Sequence, residues 1–174
     1  MARCEEPSVH TPRLLLRLPR EDDVRALMEL HEQPEVRRHL KLDTPATGLT
    51  VAWRNVALII GHWQLRGYSH WVVIEKASDA LVGRVGFYHP EGWPGIELGY
   101  VIAHAHWGRG FASEAAAAAL DWGWTNIQTD HIISIIPPDN LASVRIATKL
   151  GMHFHGVHPQ DGHDVHVYRI DRPQ

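Results

Sequence analysis

The sequence predicts an α/β (α+β) domain: a single mixed, mostly antiparallel sheet with one βαβ parallel pair and helices on both faces. Three observations predict it. The runs His70 to Glu75, Leu81 to Tyr88 and Ile96 to Ile102 are rich in β-branched and aromatic residues and are parted by turn formers, the pattern of an antiparallel meander. A glycine turn, a strong helix former and the apolar run Ile132 to Ile136 come next, and a helix crossover between two strands makes them parallel. His153 to His158 and Val165 to Asp171 then flank Asp161-Gly162 as a closing hairpin.

The elements follow in order. Arg13 to Leu18 reads as a first strand between Pro12 and Pro19. Glu21, Asp22 and Asp23 suit the positive end of a helix dipole. Val24, Leu27, Met28 and His31 then recur at helical spacing. Pro34 ends that helix and starts a short one through Leu40, and Lys41 to Gly48 reads as a loop. Trp53, Val56, Ala57 and Ile60 form another helical stripe, with Gly67 just past its end. Ala115 to Ala119 and Leu120 carry the crossover helix to about Asn126. Pro137 and Pro138 stop the next strand. Asn140 precedes a last helix with Val144, Ile146, Ala147 and Leu150 as apolar positions, and Gly151 is its expected C′ residue.

At 174 residues the chain reads as one domain over 11–174, with 1–10 as a mobile N-terminus. Hydrophobic residues at 44% and charged residues at 21% are ordinary for a globular protein, and no apolar run reaches membrane-spanning length. A formal charge of -3 argues against a nucleic-acid partner. The N-terminus lacks an apolar signal core, and the single cysteine, Cys4, fits a reducing compartment, so the expected location is cytoplasmic. Cys4 also lies too near the chain end to serve as a covalent nucleophile. The 14 histidines should make the net charge positive in mild acid. None matches a helical or finger-type ligand spacing, so no metal is expected.

The chemistry-bearing stretch is the strand-to-helix turn Trp107-Gly108-Arg109-Gly110-Phe111. Its glycines let a ligand approach the backbone, the helix start leaves amide N–H groups unpaired, and Arg109 adds charge, which together suit a phosphate. No Gly-Lys-Ser/Thr follows, so it is not a P-loop. Ser113 stands where a dinucleotide fold needs its third glycine. On the loop alone, a tight turn that binds nothing is an equal reading.

The surroundings decide between them. Ala105 to Gly110, with the continuation Phe111-Ala112-Ser113-Glu114-Ala115, resembles the cofactor loop of the GNAT superfamily of acyl-CoA-dependent N-acyltransferases; Ala105 replaces that family's leading Gln/Arg. Pro138 to Ser143, Lys149 to Met152 and Thr11 to Arg17 are similar to its RimJ/RimL-like branch, which acetylates ribosomal-protein N-termini. The resemblance implies acetyl-CoA as cosubstrate, no metal, and an acceptor that is a small-molecule amine or a protein N-terminus. Val101, Ile102 and Ala103 would offer backbone to the pantetheine. Gly108, Arg109, Gly110, Phe111, Ala112 and Ser113 would hold the pyrophosphate. Asn140 would bond the pantetheine arm, and Ser143 would stand near sulfur as proton donor, with Tyr168 a distant substitute. Glu97 is the candidate general base. Strand alternation puts it with Gly99 and Val101 on one face, and Ile96, Leu98, Tyr100 and Ile102 on the other. Trp107 and Phe111 read as packing residues and Glu114 as dipole complementarity. The rival readings are a longer acyl donor and a non-catalytic CoA-binding sensor or interaction domain. Seven tryptophans leave room for aromatic surface in a homodimer.

Overall fold

A computed structural model describes residues 7–40, 48–160 and 162–173. The expectations for Cys4, for most of the Lys41 to Gly48 loop and for Asp161 lie outside the described residues. The strands are β1 (Val9–His10), β2 (Leu14–Arg17), β3 (His70–Glu75), β4 (Ala80–Tyr88), β5 (Glu97–Ile102), β6 (His131–Ile136), β7 (His153–Gln160) and β8 (His163–Asp171). The helices are α1 (Val24–Glu32), α2 (Pro34–Leu40), α3 (Leu49–Arg66), α4 (Phe111–Asn126) and α5 (Leu141–Lys149). One sheet runs in the order β1-β2-β3-β4-β5-β6-β8-β7. Every neighbouring pair is antiparallel except β5 and β6, which the α4 crossover makes parallel.

That parallel pair is brief. Its register holds at Glu97 and Ile133, where the Ile133 N–H donates to Ile96 O at 2.9 Å. One residue further on, Ser134 Oγ donates to Leu98 O at 2.7 Å; beyond that the C-terminal part of β5 presents an unpaired edge. Ala103 N–H donates across to Val82 on the β4 side. By alternation, the backbone groups of Tyr100 and Ile102 therefore face the gap.

Two apolar clusters cover the two faces. Leu98 and Ile102 lie with Phe111, Ala115, Ala116, Ala119 and Ala147 on the α4 and α5 side. Val101 lies with Val24, Leu27, Leu30, Val36 and Val56 on the α1, α2 and α3 side. The alternation expected along β5 is thus realised. The alanines do more than favour a helix: they are fully buried, and their small size lets α4 lie close on the sheet.

The structure corrects two expectations. Val9 and His10, assigned to a mobile N-terminus, pair with Leu16 and Leu15, and Trp71 Nε1 donates to Pro7 O at 2.9 Å. On α3 the buried stripe is Ala52, Val56, Ile59 and Trp63, while Trp53 and Ile60 are 54% and 41% exposed. The helix is apolar on more than one face, so spacing alone could not select the inner one. Two histidines do not join the many expected to charge in mild acid. Burial holds His70 well below its ordinary value, and burial with Arg84 nearby lowers His31 to about 4.

Candidate active site

The glycine turn has the backbone its sequence demands. Gly108 and Gly110 have φ of +74° and +79°, in the left-handed region where a Cβ is strained. Gly110 is the N-cap of α4, and Glu114 N–H closes the first helical bond to Gly110 O at 3.0 Å. The amides of Phe111, Ala112 and Ser113 therefore point out of the helix end without intrahelical partners.

The turn is braced by the N-terminal strand. Glu114 accepts from Thr11 Oγ1 at 2.6 Å, from Arg13 N at 3.0 Å and from Arg13 Nε at 2.6 Å. Arg13 Nη1 also donates to Arg109 O at 2.8 Å. Burial alone would push the Glu114 carboxyl up, but Thr11 and Arg13 hold it below the usual range. Glu114 is thus more than a dipole partner: it ties the loop to the turn between β1 and β2.

Arg109 is the loop residue expected to bring a full charge to the pyrophosphate. Its guanidinium lies 2.5 Å from Glu75, donates to that carboxylate, and sits 4.4 Å from the Phe111 ring centre. Its charge is already partnered, and it does not line the cleft below the loop. Ala103, whose N–H is turned into the sheet, does not line it either.

That cleft, of about 350 Å³, lies in the gap beside β5. Gly108, Gly110, Phe111, Ala112 and Ser113 form one end of it, and Tyr100, Val101, Ile102, Asn140 and Ser143 form the other. Ile102 O already accepts from Trp107 Nε1 at 2.7 Å, which makes Trp107 part of the wall. The positive-φ glycines, the outward amides and the open strand edge fit a long ligand with a phosphate at one end and amides along its arm.

Asn140 caps α5. Its Oδ1 accepts from Ser143 N at 3.1 Å and its Nδ2 donates to His39 O at 3.4 Å. Tyr100 Oη, which sequence alternation left without a role, crosses the gap and donates to Ser143 O at 3.0 Å. Burial pushes the Tyr100 phenol well up. This bond fixes Ser143 at the junction between the cleft and a second cavity. Tyr168 lines neither and packs on Phe154 instead.

The second cavity, of about 270 Å³, holds Glu97, His70, Arg84 and Trp93. Burial raises the Glu97 carboxyl to about 7, against the opposing pull of a 2.8 Å bond from Trp93 Nε1 and of Arg84. A carboxyl poised near neutrality suits proton abstraction. The cleft and this cavity share Tyr100, Val101, Asn140 and Ser143 as common wall. Glu97, Asn140 and Ser143 are therefore brought together as the sequence reading expected. Trp93, Tyr100, His70 and Arg84 are additions that no motif signalled.

Comparisons with known proteins agree with this geometry. The family described as acetyltransferase (GNAT) domain matches residues 13–153. The uncharacterized N-acetyltransferase p20 of Bacillus licheniformis is 30% identical over 152 residues, 86% of this chain and 84% of that protein. The uncharacterized N-acetyltransferase YoaA of Bacillus subtilis (strain 168) is 27% identical, over 97% of this chain and 98% of that one. An acetyltransferase structure from Agrobacterium tumefaciens str. C58 superposes with a TM-score of 0.82 at 27% identity, covering 94% of each chain. RimL, a ribosomal L7/L12 α-N-protein acetyltransferase solved with coenzyme A, shares the fold with a TM-score of 0.80 at 22% identity, over 95% of this chain and 98% of that one. Among the described residues no helix is long and apolar enough to cross a membrane, and no cluster of metal-ligating side chains occurs.

Proposed function

The chain belongs to the acetyltransferase (GNAT) domain family, and on that premise we propose that it uses acetyl-CoA as donor, with Glu97 as base and Ser143 beside the departing sulfur. The observation that carries this reading is the common wall: the phosphate-type cleft and the cavity holding Glu97 meet at Tyr100, Val101, Asn140 and Ser143. Donor and acceptor can each be held in its own cavity and react where the two join.

Acetyl-CoA, when bound, supplies a thioester already activated toward attack. The amides of Gly108, Gly110, Phe111, Ala112 and Ser113 hold its pyrophosphate, and the edge groups of Tyr100 and Ile102 hold its arm. The acceptor arrives as an ammonium ion and gives one proton to Glu97. The neutral nitrogen attacks the thioester carbonyl; a C–N bond forms and the C–S bond breaks. The sulfur departs with negative charge that Ser143 and the N-terminus of α5 stabilise. Ser143 gives it a proton, so it leaves as a thiol; the second nitrogen proton restores the Ser143 hydroxyl through water, and Glu97 releases its proton to solvent. No covalent enzyme intermediate is needed.

The test is release of free thiol from acetyl-CoA in the presence of primary amines. Amine-dependent release by the wild type, reduced about a hundredfold or more in Glu97→Gln at pH 7 with acetyl-CoA affinity kept, supports the reading. Acetyl-CoA binding with no release for any amine sinks it.

A further inference from the structure

The cavity around Glu97 holds two groups that the transfer itself does not use. Arg84 lies on β4 opposite Val101, so it shares the Glu97 face of the sheet. Its Nε donates to His31 Nε2 at 3.1 Å. His31 Nδ1 lies 2.7 Å from Leu27 O, which can only accept, so Nδ1 carries the ring proton and Nε2 is free to accept from Arg84. Among the described residues no carboxylate forms an ion pair with Arg84 and no group takes its terminal N–H groups; Glu97, in the same cavity, acts on it only at longer range. A desolvated guanidinium without a bonded anion is costly, and its planar fork matches a carboxylate.

His70 is the second group. It is 7% exposed, lines the same cavity, and its ring has no hydrogen-bond partner among the described residues. His62, close by, is by contrast fully used: Nδ1 bonds Tyr68 O at 2.6 Å and Nε2 accepts from His89 N at 3.1 Å. Between Arg84 and Glu97 the sheet carries Gly99. A Cβ there would stand 3.4 Å from His70 Nε2 and 3.8 Å from Glu97 Oε1, so glycine leaves that floor open.

We propose that the acceptor is a small amine that also carries a carboxylate, seated over Gly99 with its nitrogen at Glu97 and His70 and its carboxylate forked by Arg84. This rests on the transferase reading above. A polyamine fits poorly, because Glu97 is the one acidic side chain in the cavity wall among the described residues. A peptide N-terminus offers a neutral carbonyl where this cavity offers a full positive charge.

The experiment compares matched acceptors: glycine, β-alanine, 4-aminobutyrate and 6-aminohexanoate, each against its carboxamide, with spermidine and a serine-initiated peptide beside them. The expected result is a kcat/KM about tenfold to a hundredfold higher for at least one acid than for its amide. In Arg84→Gln that preference disappears through a raised KM. If Arg84→Gln does not fold, the wild-type acid-to-amide ratio decides alone. Equal turnover of acids and amides, or preference for spermidine or the peptide, overturns the proposal while leaving the transferase reading intact. No transfer to any of them, with acetyl-CoA bound, overturns both.

Discussion

Glu97 shows what the site costs at the scale of one residue. Its carboxyl rises from 4.5 to about 7, chiefly by burial. Between those values the folded protein binds more protons than the unfolded chain, so this group's contribution to stability falls as pH rises through that window. Above pH 7 the penalty is on the order of 3 kcal/mol at most. Glu97→Gln should therefore raise the Tm at pH 8 while abolishing turnover, and the gain should vanish near pH 4; thermal unfolding at the two pH values checks it. Catalysis runs the opposite way. A base must be unprotonated, so kcat should fall about tenfold per pH unit below 7 in the wild type, read from a pH–rate profile. Ser143→Ala should lower kcat more than it raises the KM for acetyl-CoA; full activity would remove Ser143 as proton donor. Glu97 and Ser143 stood out in the sequence because the resemblance to the GNAT family points to the strand before the glycine turn and to an Asn-x-x-Ser motif, and strand alternation assigned Glu97 its face. The partners that tune them were not. Trp93 reaches Glu97 from a loop, Tyr100 reaches Ser143 across a gap, and Glu75 claims Arg109 from another strand. Each depends on through-space proximity that no local pattern encodes.

At the scale of elements, the glycine turn and α4 behave as a unit held by the turn between β1 and β2. Gly110→Val would force a β-branched residue to φ near +79° and push its Cβ to 3.4 Å from Arg13 Nη2. The expected outcome is a folded protein, destabilised by about 1–3 kcal/mol, whose Tm no longer responds to acetyl-CoA. Asn140→Ala removes the cap of α5 and should cost about 1 kcal/mol, a Tm loss of roughly 2–4 °C. Differential scanning calorimetry with and without ligand separates these effects. Secondary structure was read well where local chemistry punctuates it: Pro12, Gly67, Gly110, Asn140 and Gly151 each mark a real boundary. It was read poorly on α3, where apolar residues on several faces leave the choice of inner face to tertiary packing. The bracing of Glu114 by Thr11 and Arg13 spans about a hundred positions of chain and left no sequence trace.

Across the whole molecule, order of elements made the fold readable: a meander, one crossover and a hairpin admit few arrangements. The brevity of the β5–β6 pairing was not readable, because two apolar runs say nothing about how far they stay together. Saturating acetyl-CoA, at about a hundred times its Kd, should raise the Tm by roughly 5–10 °C, with NAD and ATP giving no shift. That single rung at Glu97 and Ile133 has a further consequence. It leaves β1 to β5 and the β6-β8-β7 trio as two units with little backbone bonding between them, joined mainly through the apolar core they share. Native-state hydrogen exchange on the unliganded protein should then resolve two tiers of opening free energy, the C-terminal unit opening first. A ligand that bonds β5 with one flank and touches α5 with the other spans both units, so the two tiers should merge into one when acetyl-CoA is bound.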